Sequence, residues 1–309
     1  MSRNRRARAA FTLVELLVVI AIIVLLMALL MPAIQKVREA ANKMLCGNNL
    51  KQIGIACHMH ATDFSVFPTG GNGYLVPRTM VNGRPEDYQN QAWAWGYQIL
   101  RYIEQDALWQ NPDDVYVSRT PVKIYFCPSR RAPVALSGGP WAVHTYPRAM
   151  TDYAGNAGTS SVGNDGGGVY GSGGDGVIIR LRAVPFVGFA AITDGTSNTM
   201  LIGEKHMNLG FVDSLPQADD NDGYVGGFQD DVVRWGAFPP ARDVVAPMYD
   251  WSTIHPPIWQ FGSVHPSGFQ GVFCDGSVRT MSYFIDQTVF SNICNRMDGN
   301  VIADDDFMK

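Results

Sequence analysis

Charge is scarce in this chain. Only 17% of its 309 residues are Asp, Glu, Lys or Arg, against 46% hydrophobic residues. That balance excludes disorder as the main state. Lys and Arg number 24 against 28 Asp and Glu, so the basic footprint of a nucleic-acid binder is missing. No C-x-x-C pair occurs among Cys46, Cys57, Cys127, Cys274 and Cys294, which argues against a zinc ribbon or a thioredoxin-like site. The G-x-S-x-G elbow and the P-loop are also absent. Gly166, Gly168 and Gly171 spell G-x-G-x-x-G, but no clear strand precedes them and no apolar helix follows, so no dinucleotide site is read there. Asp219-Asp-Asn-Asp-Gly223 fails as an EF-hand loop, because Ala218 and Gln229 would fill its first and twelfth places. The 32 Gly and 18 Pro favour many turns and short strands over a helical bundle.

Residues 11–31 read FTLVELLVVIAIIVLLMALLM, polar only at Thr12 and Glu15. A run of ~20 apolar residues crosses a bilayer as a helix. Arg3, Arg5, Arg6 and Arg8 precede it, which places the N-terminus in the cytoplasm and the bulk of the chain outside. A removed signal peptide is the alternative. Its apolar core is shorter, however, and ends in a small-residue cleavage site that this run lacks. Glu15 is out of place in a signal peptide. A carboxylate one turn into a membrane helix is costly and calls for a partner. The free amine of a neighbouring chain supplies one if the chain is cut just before Phe11, and membrane helices are then coupled side by side.

Residues 33–60 continue as a helix, with Ile34, Val37, Ala41, Met44, Leu50, Ile53 and Cys57 as an apolar stripe expected to pack on a sheet. Gly47 and Gly54 weaken it locally. His58 and His60 are two apart and do not face one another on a helix. Cys46 and Cys57 lie roughly 16 Å apart on such a helix, beyond the ~7 Å reach of a disulfide. Cys274 with Cys294 is the expected pair. Further on, 91–109 predicts a second helix, 152–176 loops, and 122–127, 177–184, 200–203 and 232–235 strands. Residues 272–274 and 278–281 flank Asp275-Gly276, which predicts a hairpin with a type I′ turn.

The junction R-R-A-R-A-A before F-T-L-V-E-L-L resembles the prepilin leader of type IV pilins and type II secretion pseudopilins. The resemblance implies cleavage between Ala10 and Phe11 by a prepilin peptidase, methylation of the Phe11 amine, and Glu15, fifth in the mature chain, as the assembly residue. Pro32 matches a common kink, and Ala10 stands where the family usually has Gly. Five further strings, Cys46-Gly-Asn-Asn-Leu-Lys-Gln-Ile-Gly54, Phe126-Cys-Pro-Ser129, Asp152-Tyr-Ala-Gly-Asn156, Ile192-Thr-Asp-Gly-Thr-Ser-Asn-Thr199 and Phe261-Gly-Ser-Val-His265, resemble the DUF1559 family of large pilin-like proteins. Nine residues after His265 come Asp275 and Gly276, as in that family's C-terminal H-x9-DG segment. The resemblance runs over nearly the whole chain, and the family has no established activity.

The fold so implied is α+β and pilin-like, a long N-terminal membrane-spanning helix packed on an antiparallel sheet, with a large loop-rich insertion at about 68–190. Residues 1–10 are then the leader, 11–32 the transmembrane and assembly helix, 33–66 the exposed part of that helix, and 67–309 the extracytoplasmic body. The implied partners are the prepilin peptidase, other pilin subunits, an inner-membrane assembly platform and the lipid bilayer. The resemblance implies a chain that sits in the inner membrane as a single pass and then in a filament, either a pilus or a secretion pseudopilus.

His265 and Asp275 are candidates for an acid–base pair or a metal site. The simpler reading makes His265 a loop histidine and Asp275-Gly276 a turn. Asp194 and Asn198, with Glu204, offer oxygen ligands for a structural calcium, which pseudopilins often bind. Asp194 is more simply a turn residue. These features together are read as a structural subunit with no catalytic residues and no cofactor. The alternative is a displayed glycan-binding module using Trp93, Trp95, Trp141 or Trp235.

Overall fold

An almost unbroken run of apolar and helix-favouring residues carries one helix, α1, over Leu13–Phe64, with Pro32 inside it. The structure, a computed structural model, describes residues 13–73, 76–159, 174–181, 186–247 and 259–308. Two compact units divide the chain, Met1–Asn42 and Lys43–Lys309. In the first, every described residue from 13 to 38 is exposed, and apolar side chains cover the helix on all sides. A helix that is apolar all round belongs in a membrane or a core. Residues 13–31 span roughly 28 Å at 1.5 Å per residue, close to the ~30 Å of a bilayer's hydrocarbon core.

The second unit is built on a five-stranded sheet. Its strands are β1 (Tyr153–Asn156), β2 (Met200–Glu204), β3 (Val233–Arg234), β4 (Phe269–Phe273) and β5 (Val278–Met281). The order is β5-β4-β2-β1-β3. Pairing is antiparallel from β5 to β1, but β3 joins β1 in parallel, Gly155 opposite Val233, so the sheet is mixed rather than wholly antiparallel. Tyr153 stands opposite Glu204, and Val272 opposite Ile202. Side chains alternate along a strand, so Tyr153, Ile202, Glu204, Gln270 and Val272 share one face. The body part of α1 packs on that face through Cys46, Leu50, Ile53, Ala56, Cys57 and Ala61. The other face carries Ala154, Met200, Phe269 and Phe273 against α5 (Gln287–Cys294), whose N-terminus is capped by Asp286.

Gly47 and Gly54, weak points for a helix in isolation, lie where α1 meets the sheet. A Cβ at Gly54 would sit 2.6 Å from Val272 Cγ2, and one at Gly47 3.1 Å from Gln270 Nε2. The apolar stripe packs only from Cys46 onward, and Ile34, Val37 and Met44 stay exposed.

Several local expectations are corrected. The helix expected over 91–109 is three short pieces, α2 (Trp95–Gln98), a 3-10 turn at Leu100–Tyr102, and α3 (Asp106–Gln110), followed by α4 (Asp114–Arg119). Glu104 breaks the run with a φ of 62°. Residues 122–127 hold a 3-10 turn, Lys123–Tyr125, instead of a strand. The stretch 152–176, expected as loops, contains β1, where Gly155 lets Ile178 pack against the backbone. Residues 177–181 are not a strand, and 182–184 lie outside the described residues. The hairpin at Asp275-Gly276 forms, but not with a type I′ turn. Gly276 has φ +80° and Asp275 has no positive φ. The Gly276 N–H donates to the Phe273 carbonyl at 2.9 Å, and the Phe273 N–H to Ser277 at 2.8 Å. That is a type I turn closed by a glycine bulge.

The acids of 219–222 are buried in an ionic lattice. Asp219 meets Arg234 at 3.1 Å, Asp220 meets Lys205 at 3.0 Å and Arg131 at 2.5 Å, and Asp222 meets Arg148 at 2.6 Å. Arg131 also holds Asp152 at 2.7 Å, and Arg130 holds Asp243 at 2.8 Å. Asp230 lies buried beside this lattice. Burial and the neighbouring Asp231 push its carboxyl up to about 8.

Two outcomes follow from this packing. Gly54→Val, which drives a branched side chain into Val272, is expected to cost ~1–3 kcal/mol in denaturant unfolding of the full chain in detergent. An unchanged midpoint would contradict the close packing. Asp230 holds its proton more tightly when folded, so its contribution to stability is lost as pH rises from 3.8 towards about 8. The melting-temperature advantage of Asp230→Asn over the natural chain should therefore grow across that window and level off above it. A pH-independent difference would contradict the shift.

Candidate functional site

Ala10 and Phe11 lie outside the described residues. Glu15 stands in the first turn of α1, exposed among Leu13, Val14, Leu16 and Leu17. A carboxylate on an otherwise apolar helix surface is costly at membrane depth. Its place near a helix N-terminus suits its charge.

In the body, four segments far apart in sequence bring side chains to one buried point. Cys46 comes from α1 and Cys127 from the turn after Lys123–Tyr125. Glu204 ends β2, on the face that α1 covers. His265 follows Gly262–Ser263, a two-residue strand paired in parallel with Ala241–Arg242. All four residues are fully buried. Cys46 Sγ lies 2.6 Å from Cys127 Sγ, Cys127 Sγ 3.5 Å from His265 Nε2, and His265 Nε2 3.3 Å from Glu204 Oε1. One donor atom from each residue falls within 4.8 Å of all the others.

The surroundings hold these groups in place. The Gln270 N–H donates to Glu204 Oε2 at 2.8 Å, while Oε1 faces His265 Nε2 at 3.3 Å. The Cys127 N–H donates to Asp152 Oδ2 at 2.7 Å, and Arg131 Nε to Asp152 Oδ1 at 2.8 Å. Tyr283 Oη donates to the His265 carbonyl at 2.8 Å. Burial alone would lower the His265 pKa, but hydrogen bonds to Cys127 and Glu204 and the Glu204 charge outweigh it and push the pKa up to about 11. The hydrogen bond to Cys46 and burial raise the Cys127 thiol.

The structure separates His265 from Asp275. His265 is buried against Cys127 and Glu204, whereas Asp275 is exposed and its Oδ1 accepts the Ser277 N–H at 2.8 Å. Gly276 instead meets α1, its carbonyl accepting from Lys51 Nζ at 2.6 Å. Asp194 accepts the N–H groups of Asp298 and Gly299 at 2.6 and 2.8 Å, and Asn198 Nδ2 donates to the Asp194 carbonyl at 2.8 Å. These contacts tie a turn to the chain beyond α5. Trp93, Trp95 and Trp235 are core residues rather than a platform, and Trp95 Nε1 donates to the Val232 carbonyl at 2.8 Å. Trp141 is half-buried. The expected Cys274–Cys294 disulfide is absent, because both are free thiols in cores on opposite faces of the sheet.

Sequence reasoning reached His265 but missed its partners Cys46, Cys127 and Glu204. Cys46 and Cys127 do open conspicuous strings, C-G-N-N-L-K-Q and C-P-S. No local spacing joins either to His265, because each donor arrives on a separate segment.

Comparison with known proteins agrees with this architecture. Residues 35–288 match the family described as "Protein of unknown function (DUF1559)", and residues 5–31 match the "Prokaryotic N-terminal methylation motif". Over 111 residues the chain is 29% identical to the type II secretion system core protein G of Pseudomonas aeruginosa, which covers 35% of this chain and 73% of that protein. No solved structure matches. The DUF1559 match takes in the body from α1 into α5, and the methylation motif takes in the apolar helix ahead of it. The chain is a pilin-like member of the DUF1559 family.

Proposed function

We propose that the chain is a structural subunit, made as a membrane-inserted prepilin, cut between Ala10 and Phe11 by a prepilin peptidase, and polymerised into a pilus or a type II secretion-like pseudopilus. The observation that carries this reading is the first unit of the chain, a helix apolar on every side with Glu15 in its first turn. The methylation motif at 5–31 and the likeness to a type II secretion core protein support it. The Phe11 amine of one subunit pairs with Glu15 of its neighbour. That pairing offsets the cost of a carboxylate at membrane depth and sets the register between adjacent helices. Before assembly the same helix anchors the chain in the inner membrane, with the Arg cluster on the cytoplasmic side and the body outside. The role so read is structural, and the His265 cluster is fully buried.

Glu15→Ala tests the pairing. The variant should remain in the membrane fraction with its body melting at the natural temperature, while its presence in the sheared surface fraction falls to background. Filaments of normal yield from Glu15→Ala would contradict the mechanism.

A further inference from the structure

The cluster of Cys46, Cys127, Glu204 and His265 is untouched by the filament role. We propose that it is a structural metal site for a divalent ion of the zinc class, bound by Cys46 Sγ, Cys127 Sγ, His265 Nε2 and Glu204 Oε1.

The donor chemistry points to this class of ion. Two sulfurs and one imidazole select a borderline-soft metal over calcium or magnesium, which take oxygen ligands. Four protein donors with no access to solvent fit a closed structural centre, whereas a catalytic centre keeps one position open. The carboxylate supplies an independent observation. Glu204 Oε1 is fully buried and faces the His265 ring at 3.3 Å, while Oε2 is fixed by the Gln270 N–H, so Oε1 is aimed at the ring and the sulfurs beside it. A disulfide between Cys46 and Cys127 would account for the sulfurs and leave that oxygen facing only His265. A dication engages all four groups.

The geometry sets what must move. Bonds of ~2.3 Å to sulfur place tetrahedral sulfurs ~3.7 Å apart, so the pair, at 2.6 Å, opens by ~1 Å on binding. The sulfurs bind as thiolates and the imidazole binds neutral, and the protons they give up pass to solvent. Two thiolates, one carboxylate and a neutral imidazole around a dication leave one net negative charge. The backbone N–H groups of Arg130 and Arg131 donate to the Cys127 carbonyl, while their guanidiniums are held by Asp243, Asp152 and Asp220. Asp152 receives the Cys127 N–H and the Arg131 guanidinium, which is the kind of outer contact that orients a metal ligand. A bound ion would tie α1 at Cys46 to the sheet at Glu204 and to the two flanking turns.

The test uses the full-length chain purified in detergent without added metal. Elemental analysis should find about one zinc per chain, and Cys127→Ser and His265→Gln should each reduce it to background. Cobalt titration of the natural chain, stripped by chelator, guards against variants that fail to fold. A thiolate-to-cobalt charge-transfer band saturating at about one equivalent is expected. Peptide mapping of the same sample without reductant should find both thiols unlinked. A Cys46–Cys127 linked peptide would overturn the site. So would zinc that survives both substitutions, or a natural chain with neither zinc nor a cobalt band.

Discussion

The seam between the last turns of α1 and the central sheet is the contact on which the body depends. It is close because two helix positions are glycine, so Val272 and Gln270 approach the helix with no Cβ between them. The sheet face it covers is ordered by register. Pairing Tyr153 with Glu204 and Ile202 with Val272 puts two apolar residues under the helix, and an acid under Cys46. Burial of Leu50, Ile53 and Ala56 on one side and of Phe290 and Ile293 on the other makes the sheet the middle layer of the body.

One helix therefore carries two kinds of surface. Residues 13–38 are exposed and apolar on every side up to Met31, a surface that water does not tolerate. From Cys46 the helix changes to a one-sided stripe against protein. The change follows from composition alone, since Lys36, Arg38, Glu39 and Lys43 end the apolar run. This arrangement suits a subunit that polymerises through one segment and displays another.

The sequence was most legible where local chemistry decides. The strand at Met200–Glu204 and the turn at Asp275-Gly276 each rest on neighbours within a few residues. Legibility failed where distant segments decide. Residues 91–109 carry a helical pattern, yet a Cβ at Gly96 would sit 2.7 Å from the Tyr224 carbonyl, a contact that fixes this stretch against a loop more than a hundred residues away. The turn type at Asp275 was missed because D-G fits both a two-residue turn and a glycine bulge. The acids of 219–222 fail as an EF-hand loop, and nothing local shows that Arg131, Arg148, Lys205 and Arg234 enclose them. The cluster at His265 assembles from four separate segments, and no spacing in the chain announces it.

The most direct measurement is the intact N-terminal mass of the chain recovered from membrane and sheared-surface fractions. Assembly through a processed helix predicts a chain beginning at Phe11, with or without one methyl group on its amine. A chain that keeps Met1 or Ser2 in both fractions would make the helix a plain anchor, and one beginning beyond Met31 would make the body a secreted domain. Either result would contradict a processed, filament-forming subunit.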